Sequence, residues 1–356
     1  MHFHDGRIPE EYRRYVGHKA AFLIALTIML AAALVVAVSL GAANVPIPAV
    51  IKSLVGMETT RQTEVIVWNI RLPQALASMV AGAGLAVAGA AMQSILRNPL
   101  GSPFTLGISH AAAFGAALSV MLLGGGIMTS TAVGAIQITN PWLTTSSAFV
   151  FSIAAAAAIV GVARLRGTTP EVMVLTGVAL GAFFTAETMF LQFFADDVQL
   201  AAMVFWTFGD AARASWRELG YMTAATLAVA LFFFANSWNY NAIDAGDETA
   251  KGLGVRVEWV RTSGMMLASV LTAIIISFLG IIGFVGLVVP HIIRRLIGAD
   301  HRFLLPASCL GGALLLLVAD TAARLLLAPH VLPVSILTAF MGAPVFLWLI
   351  IRGGRT

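Results

Sequence analysis

From Ala20 to Arg352 the chain is a succession of long apolar runs separated by short polar segments. A hydrocarbon core about 30 Å thick takes roughly 20 apolar residues in helical form to cross. In that solvent each backbone amide must be satisfied inside its own segment, so runs of this length can span only as helices. The runs place spans at about 20–42, 65–96, 104–125, 145–165, 171–195, 215–236, 262–282, 285–298, 303–328 and 333–352. The eighth is too short to cross in a regular way, and the second is long enough to tilt or to project beyond the bilayer. Charged residues make up 11% of the chain, against about 25% in a soluble domain. So few charges could not coat a water-exposed surface of this size. The expected architecture is an all-α polytopic membrane protein, with a polar tail over 1–19 and a single transmembrane domain over 20–356.

Ten spans return both termini to one side. With the termini inside, the inner segments hold Arg7, Arg13, Arg14, Lys19, Arg97, Arg164, Arg166, Lys251, Arg256, Arg261, Arg294, Arg295, Arg302, Arg352 and Arg355, and the outer segments only Lys52, Arg61, Arg71, Arg213, Arg217 and Arg324. This positive-inside bias predicts cytoplasmic termini. It also accounts for the net charge of +4 without nucleic acid. The first apolar run exceeds a signal-peptide core of about 7–15 residues and reads as a retained span. Small residues recur every four positions in "ALASMVAGAGLAVAGAAMQ" (Gly82, Ala86, Ala90; Gly84, Ala88), the device by which helices approach closely in lipid. Pro99, Pro103, Pro290 and Pro344 are expected to break or bend spans.

The chemistry-bearing residues are sparse. Cys309, the single cysteine, reads as a small buried hydrophobe. His2 and His4 sit in the tail and His291 beside Pro290, with no partners for a metal site. No nucleophile–base pair is visible, so no covalent chemistry is expected. A Walker A loop needs Gly-Lys before Ser or Thr. Of the three lysines only Lys52 precedes Ser, and Ile51 precedes it. An ion-coupled carrier would need buried ionisable groups at mid-membrane, and the one acid deep in a span is Glu187 in "LGAFFTAETMFLQFF". The remaining reading is energy from another subunit, which requires an inner polar docking surface. The segment 237–261, "SWNYNAIDAGDETAKGLGVRVEWVR", is the inner connection long enough to supply it.

Three blocks carry a resemblance: "WNIRLPQALASMVAGAGLAVAGAAMQSILRNPLGSPFTLGIS" (68–109), "GDETAKGLGV" (246–255), and 283–352, which opens "GFVGLVVPHIIRRLIGADHR". They resemble the FecCD-type permeases, the membrane subunits of ABC importers for iron–siderophores, haem and cobalamin. The resemblance implies the type II importer fold of ten helices in the cell (inner or plasma) membrane. It implies pairing with a second permease protomer as a homodimer, two cytoplasmic ABC ATPase subunits and a periplasmic or lipid-anchored substrate-binding protein. ATP and Mg belong to the ATPase, leaving no cofactor on this chain. Two short coupling helices within 237–261 would enter a cleft of the ATPase through Gly246, Asp247, Glu248 and Lys251 and the other charges of the segment, with Gly252 and Gly254 making the turn between them. "RNPLGSP" (97–103) would form a further inner turn near the ATPase.

At the outer face the resemblance assigns Arg71 and Arg324 to carboxylates of the binding protein. A local reading stands beside each: Arg71 caps a span, and Arg324 pairs with Asp320 four residues earlier. The pathway would run between protomers along span five, with an inner gate near Thr168 and Thr169 in "LRGTTPEV". Pro170, Glu171 and Glu187 depart from the family pattern. Glu187 faces either the axis, as a negative ring, or a neighbouring helix. An iron–siderophore is the leading cargo, with haem, cobalamin or an oxyanion open, and an ion-coupled secondary transporter is the alternative.

Overall fold

The computed structural model describes residues 10–41, 44–122, 141–327 and 330–353. In chain order the helices are α1 (Glu10–Ser39), α2 (Ile47–Leu54), α3 (Arg61–Glu64), α4 (Leu72–Ile95), α5 (Ile108–Leu122), α6 (Pro141–Arg166), α7 (Pro170–Phe194), α8 (Asp197–Thr207), α9 (Trp216–Ala235), α10 (Ser237–Asp244), α11 (Asp247–Gly252), α12 (Val257–Leu279), α13 (Val285–Ile297), α14 (His301–Leu326) and α15 (Val334–Gly353). No strand occurs among the described residues. Each of the ten expected spans coincides with a helix. Seven helical runs are long and apolar enough to cross a membrane: α1, the continuous run 61–95, α6, α7, α9, α12 and α14. The other three expected spans are α5, α13 and α15. α1 begins at Glu10, so half of the polar N-terminal segment extends the first span. His2, His4 and most of the loop 126–144 lie outside the described residues.

α4 is the axle of the bundle. Of its 24 residues, 20 are buried, because its Ala- and Gly-rich surface lets neighbours approach on every side. The glycines divide the work by face. A Cβ on Gly82 would lie 2.1 Å from the carbonyl oxygen of Gly312 in α14. One on Gly89 would lie 1.7 Å from the carbonyl oxygen of Gly286 in α13, and one on Gly84 would meet Ile275 of α12 and Thr226 of α9. α4 is thus in backbone contact with two helices and tightly packed against two more. Val65–Arg71, between α3 and α4, is π-helical, and Leu72 N–H bonds the carbonyl of Val67 five residues back. Pro73, one residue on, has no N–H to give, and the wider turn absorbs the mismatch without ending the helix. Of the prolines expected to break or bend spans, Pro99 and Pro103 lie in the connection between α4 and α5, while Pro290 and Pro344 lie inside α13 and α15, which run through them without a break.

Two short helices escaped the sequence reading. α8 follows α7 after a two-residue turn and starts with a capping box of Asp196 and Gln199, a signal that was legible. α2 sits between α1 and α3 with Pro46 at its start.

Candidate coupling and gating site

The polar segment folds into two short helices, as expected, but its glycines act elsewhere. α10 and α11 are joined through Ala245 and Gly246, and Gly246 takes φ +115. Gly252 and Gly254 lie at the far end of α11, where Gly254 at φ +84 turns the chain into α12. The expectation that Gly252 and Gly254 form the turn between the helices is therefore corrected. A backbone with φ near +115 is accessible essentially to glycine, and that position falls on Gly246.

The charges divide into two sets. Glu248 and Lys251 face outward, with 90% and 56% of their side chains exposed, and pair with each other at 3.0 Å. Leu253 and Trp238 are exposed apolar residues of the same segment. Arg261 turns inward, a correction to the reading of every charge here as a docking group, and it holds Asp247, whose side chain stays 30% exposed. The Arg261 side chain is 3% exposed. It grips Asp247 in fork fashion, Nη2 to Oδ1 at 3.0 Å and Nη1 to Oδ2 at 3.2 Å. It also donates from Nε to the carbonyl of Ile95 at 3.0 Å and from Nη1 to that of Thr168 at 2.9 Å. Arg97, at φ 45 just past α4, brings a second cation within 3.9 Å of Asp247. Its left-handed conformation lets Asn98 N–H bond the Gln93 carbonyl at 3.0 Å, a closing turn that usually selects glycine.

Thr168 and Thr169, expected at the inner gate, form the three-residue connection between α6 and α7 with Gly167. Thr169 is the N-cap of α7, its hydroxyl accepting from Val172 N–H at 3.4 Å. Pro170 then occupies the first helical position and Glu171 the first turn, where a fixed φ and a negative charge both favour a helix start. The departure of Pro170 and Glu171 from the family pattern is thus a capping solution.

α10 is tied down by its own polar node. Asp244 accepts from Ser94 of α4 at 2.5 Å and lies 3.6 Å from Arg294 of α13. The ring nitrogens of His301, fully buried at the start of α14, lie 2.9 Å from Ser94 Oγ and 2.9 Å from Asn241 Oδ1. Asn241 in turn donates to Asp300 at 3.1 Å. Burial opposes charge on Asp300, but hydrogen bonds from Arg302 and Asn241 outweigh it and bring its pKa down to about 2. Ser94 and His301 were assigned no role from sequence, Asp244 was read only as one of the docking charges, and Arg294 only as one of the inner cations. Their positions are scattered over some 200 residues, with no spacing to read.

At the opposite end of α4 and α14, Arg71 and Arg324 are drawn into the protein. Arg71 is 5% exposed and donates to the carbonyls of Val38 and Ser39 at 2.9 and 2.7 Å. It closes the C-terminus of α1, where a cation meets the negative end of the helix dipole. Arg324 bonds Asp320 at 3.2 Å, with their side chains 10% and 3% exposed, and Asp320 accepts from Gln74 of α4 at 3.1 Å. The two local readings, helix cap and i,i+4 pair, describe the geometry. Each arginine thus has partners within the chain.

Glu187 is half-buried on α7, in a groove with Phe114, Leu118, Phe183, Phe190 and Leu191. A neighbouring groove of about 470 Å³ is lined by Thr105, His110, Thr185 and Met189. Its floor is set by Gly107 of the α5 approach, packed on Gly177 and Gly181 of α7. Beyond the groove linings α7 carries further exposed apolar residues, including Leu175, Phe193 and Phe194. Among the described residues no cluster of His, Cys, Asp and Glu could hold a metal ion.

Comparison with known proteins gives a consistent result. The FecCD transport family matches residues 25–352. An ABC transporter permease protein of Methanocaldococcus jannaschii is 50% identical over 97% of this chain and 98% of its own length. The hemin transport system permease protein of Yersinia pestis is 37% identical over 90% of this chain and 93% of its own. A solved inward-facing conformation of a metal-chelate type ABC transporter superposes with a TM-score of 0.81 at 29% identity, covering 94% of this chain and 99% of the solved one.

Proposed function

Because this chain belongs to the FecCD transport family and has the type II ABC importer permease fold, we propose that it is the membrane pathway of an ATP-driven importer of a metal chelate, an iron–siderophore first. Two copies pair through the exposed apolar face of α7, and the paired grooves form the route. Cytoplasmic ATPase subunits hold the α10–α11 hairpin, and a binding protein delivers cargo at the opposite end, where Arg71 and Arg324 brace α1, α4 and α14. The positive-inside bias supports a cytoplasmic hairpin and cytoplasmic termini.

The observation that carries this reading is the hairpin itself. It presents Glu248, Lys251, Leu253 and Trp238 outward while Asp244 and Asp247 anchor it to the bundle. A linking loop would need no such anchors. The test is reconstitution of the chain with its ATPase and binding protein in proteoliposomes, offering ferric siderophore, haem and cobalamin in parallel. Ferric siderophore uptake that requires ATP and the ATPase is expected. Reversing the charges of Glu248 and Lys251 should release the ATPase and stop uptake. Uptake that survives without the ATPase and collapses with an ion gradient would instead identify an ion-coupled carrier. Haem or cobalamin uptake alone would replace the cargo and leave the mechanism.

A further inference from the structure

We infer that Arg261 is the strut that carries displacement of the α10–α11 hairpin to the mouth of the pathway at Thr168 and Thr169. The inference rests on the importer reading and names the part that does the transmitting. Four segments meet at this one guanidinium. It is carried by α12. It holds the end of α4 through Ile95, the start of α11 through Asp247, and the α6–α7 connection through Thr168. A guanidinium is planar and its N–H groups point in fixed directions, so partners bound to different edges keep their relative positions.

The placement of each partner matters. Asp247 is the first residue of α11, so any movement of that helix acts directly on the carboxylate. Thr168 stands immediately before the N-cap of α7, whose first helical residue is Pro170. A pull on its carbonyl therefore reaches the end of α7 after one residue, and α7 lines both grooves. The path from hairpin to pathway helix is Asp247, Arg261, Thr168, Thr169, with burial of Arg261 to 3% excluding water from its centre. The outward pair, Glu248 and Lys251, grips the partner, while the pair Asp247 and Arg261 transmits. Ile95 supplies the fixed point, because α4 is packed on all sides.

The test uses the complete complex in proteoliposomes and reads import per ATP hydrolysed. Arg261→Lys keeps the charge and loses the fork; Arg261→Gln loses both. A role limited to stability would lower yield, ATPase binding and import together. The strut predicts wild-type ATPase binding and hydrolysis, with import per ATP falling about tenfold in both variants. Asp247→Asn should show the same uncoupling, and the double variant Arg261→Gln with Asp247→Asn should be no worse than either alone, because the pair acts as one unit. Should Arg261→Gln not fold, Asp247→Asn and Arg261→Lys decide the matter. Normal import per ATP in the single variants, or a double variant showing the product of the single losses, overturns the inference while wild-type import leaves the importer reading intact. A wild-type chain that never binds an ATPase removes both.

Discussion

Gly82→Ala tests the architecture at its tightest point. Gly82 and Gly312 face each other across α4 and α14, and the clash is reciprocal. A Cβ on Gly82 falls 2.1 Å from the Gly312 oxygen, and one on Gly312 falls 2.2 Å from the Gly82 oxygen. Ordinary contact starts near 3.4 Å, so the alanine forces the helices about 1 Å apart at this level. The obstacle is backbone, with no side chain free to rotate away. A gap of 0.5–1 Å forfeits about a quarter to a half of the dispersion well for each atom pair facing it. Overpacking of this kind costs about 1–3 kcal/mol, offset by a helix-propensity gain of up to about 1 kcal/mol. Gly220 in α9 provides the control, since nothing lies within 4 Å of its would-be Cβ. Gly220→Ala should gain about 0.4–1 kcal/mol. Unfolding of both variants in the same detergent should therefore separate them by about 1–3 kcal/mol, with Gly82→Ala the less stable. Equal stability would mean that α4 and α14 do not meet through bare backbone, and the packing argument would fall.

Asp320→Asn should destabilise the chain by about 3 kcal/mol in the same assay, by leaving the guanidinium of Arg324 buried without its counter-charge. Combining it with Arg324→Met should recover most of that loss. Gly246→Ala should cost about 1–3 kcal/mol locally, through a φ of +115 that alanine resists, and should weaken ATPase co-purification more than it lowers the melting temperature. Asp300 gives a pH signature. Its folded pKa of about 2 lies below the ordinary 3.8, so its stabilisation is complete above about pH 4 and is lost as pH falls through about 2. Melting between pH 5 and pH 2 should fall less steeply in Asp300→Asn than in the wild type, and identical slopes would refute the assignment.

What the sequence determined on its own was everything that depends on local composition. Spans follow from apolar length, the small-residue faces of α4 from four-residue spacing, and the position of the polar hairpin from its contrast with both flanks. Even the capping of α7 by Thr169 and Pro170 is a local pattern. The direction in which each charge points was set by how the helices pack. Asp247 and Glu248 are adjacent acids with the same propensity, yet one is clamped by Arg261 and the other is 90% exposed. Arg71 and Arg324 read as outer-face cations, yet the ends of α1 and α14 draw them inward. The physical reason is that partners such as Ile95, Thr168 and Asp247 converge on Arg261 from separate helices. For α4 and α12, that meeting depends on how closely Gly84 and Gly264 let the two helices approach, a distance that no stretch of sequence contains.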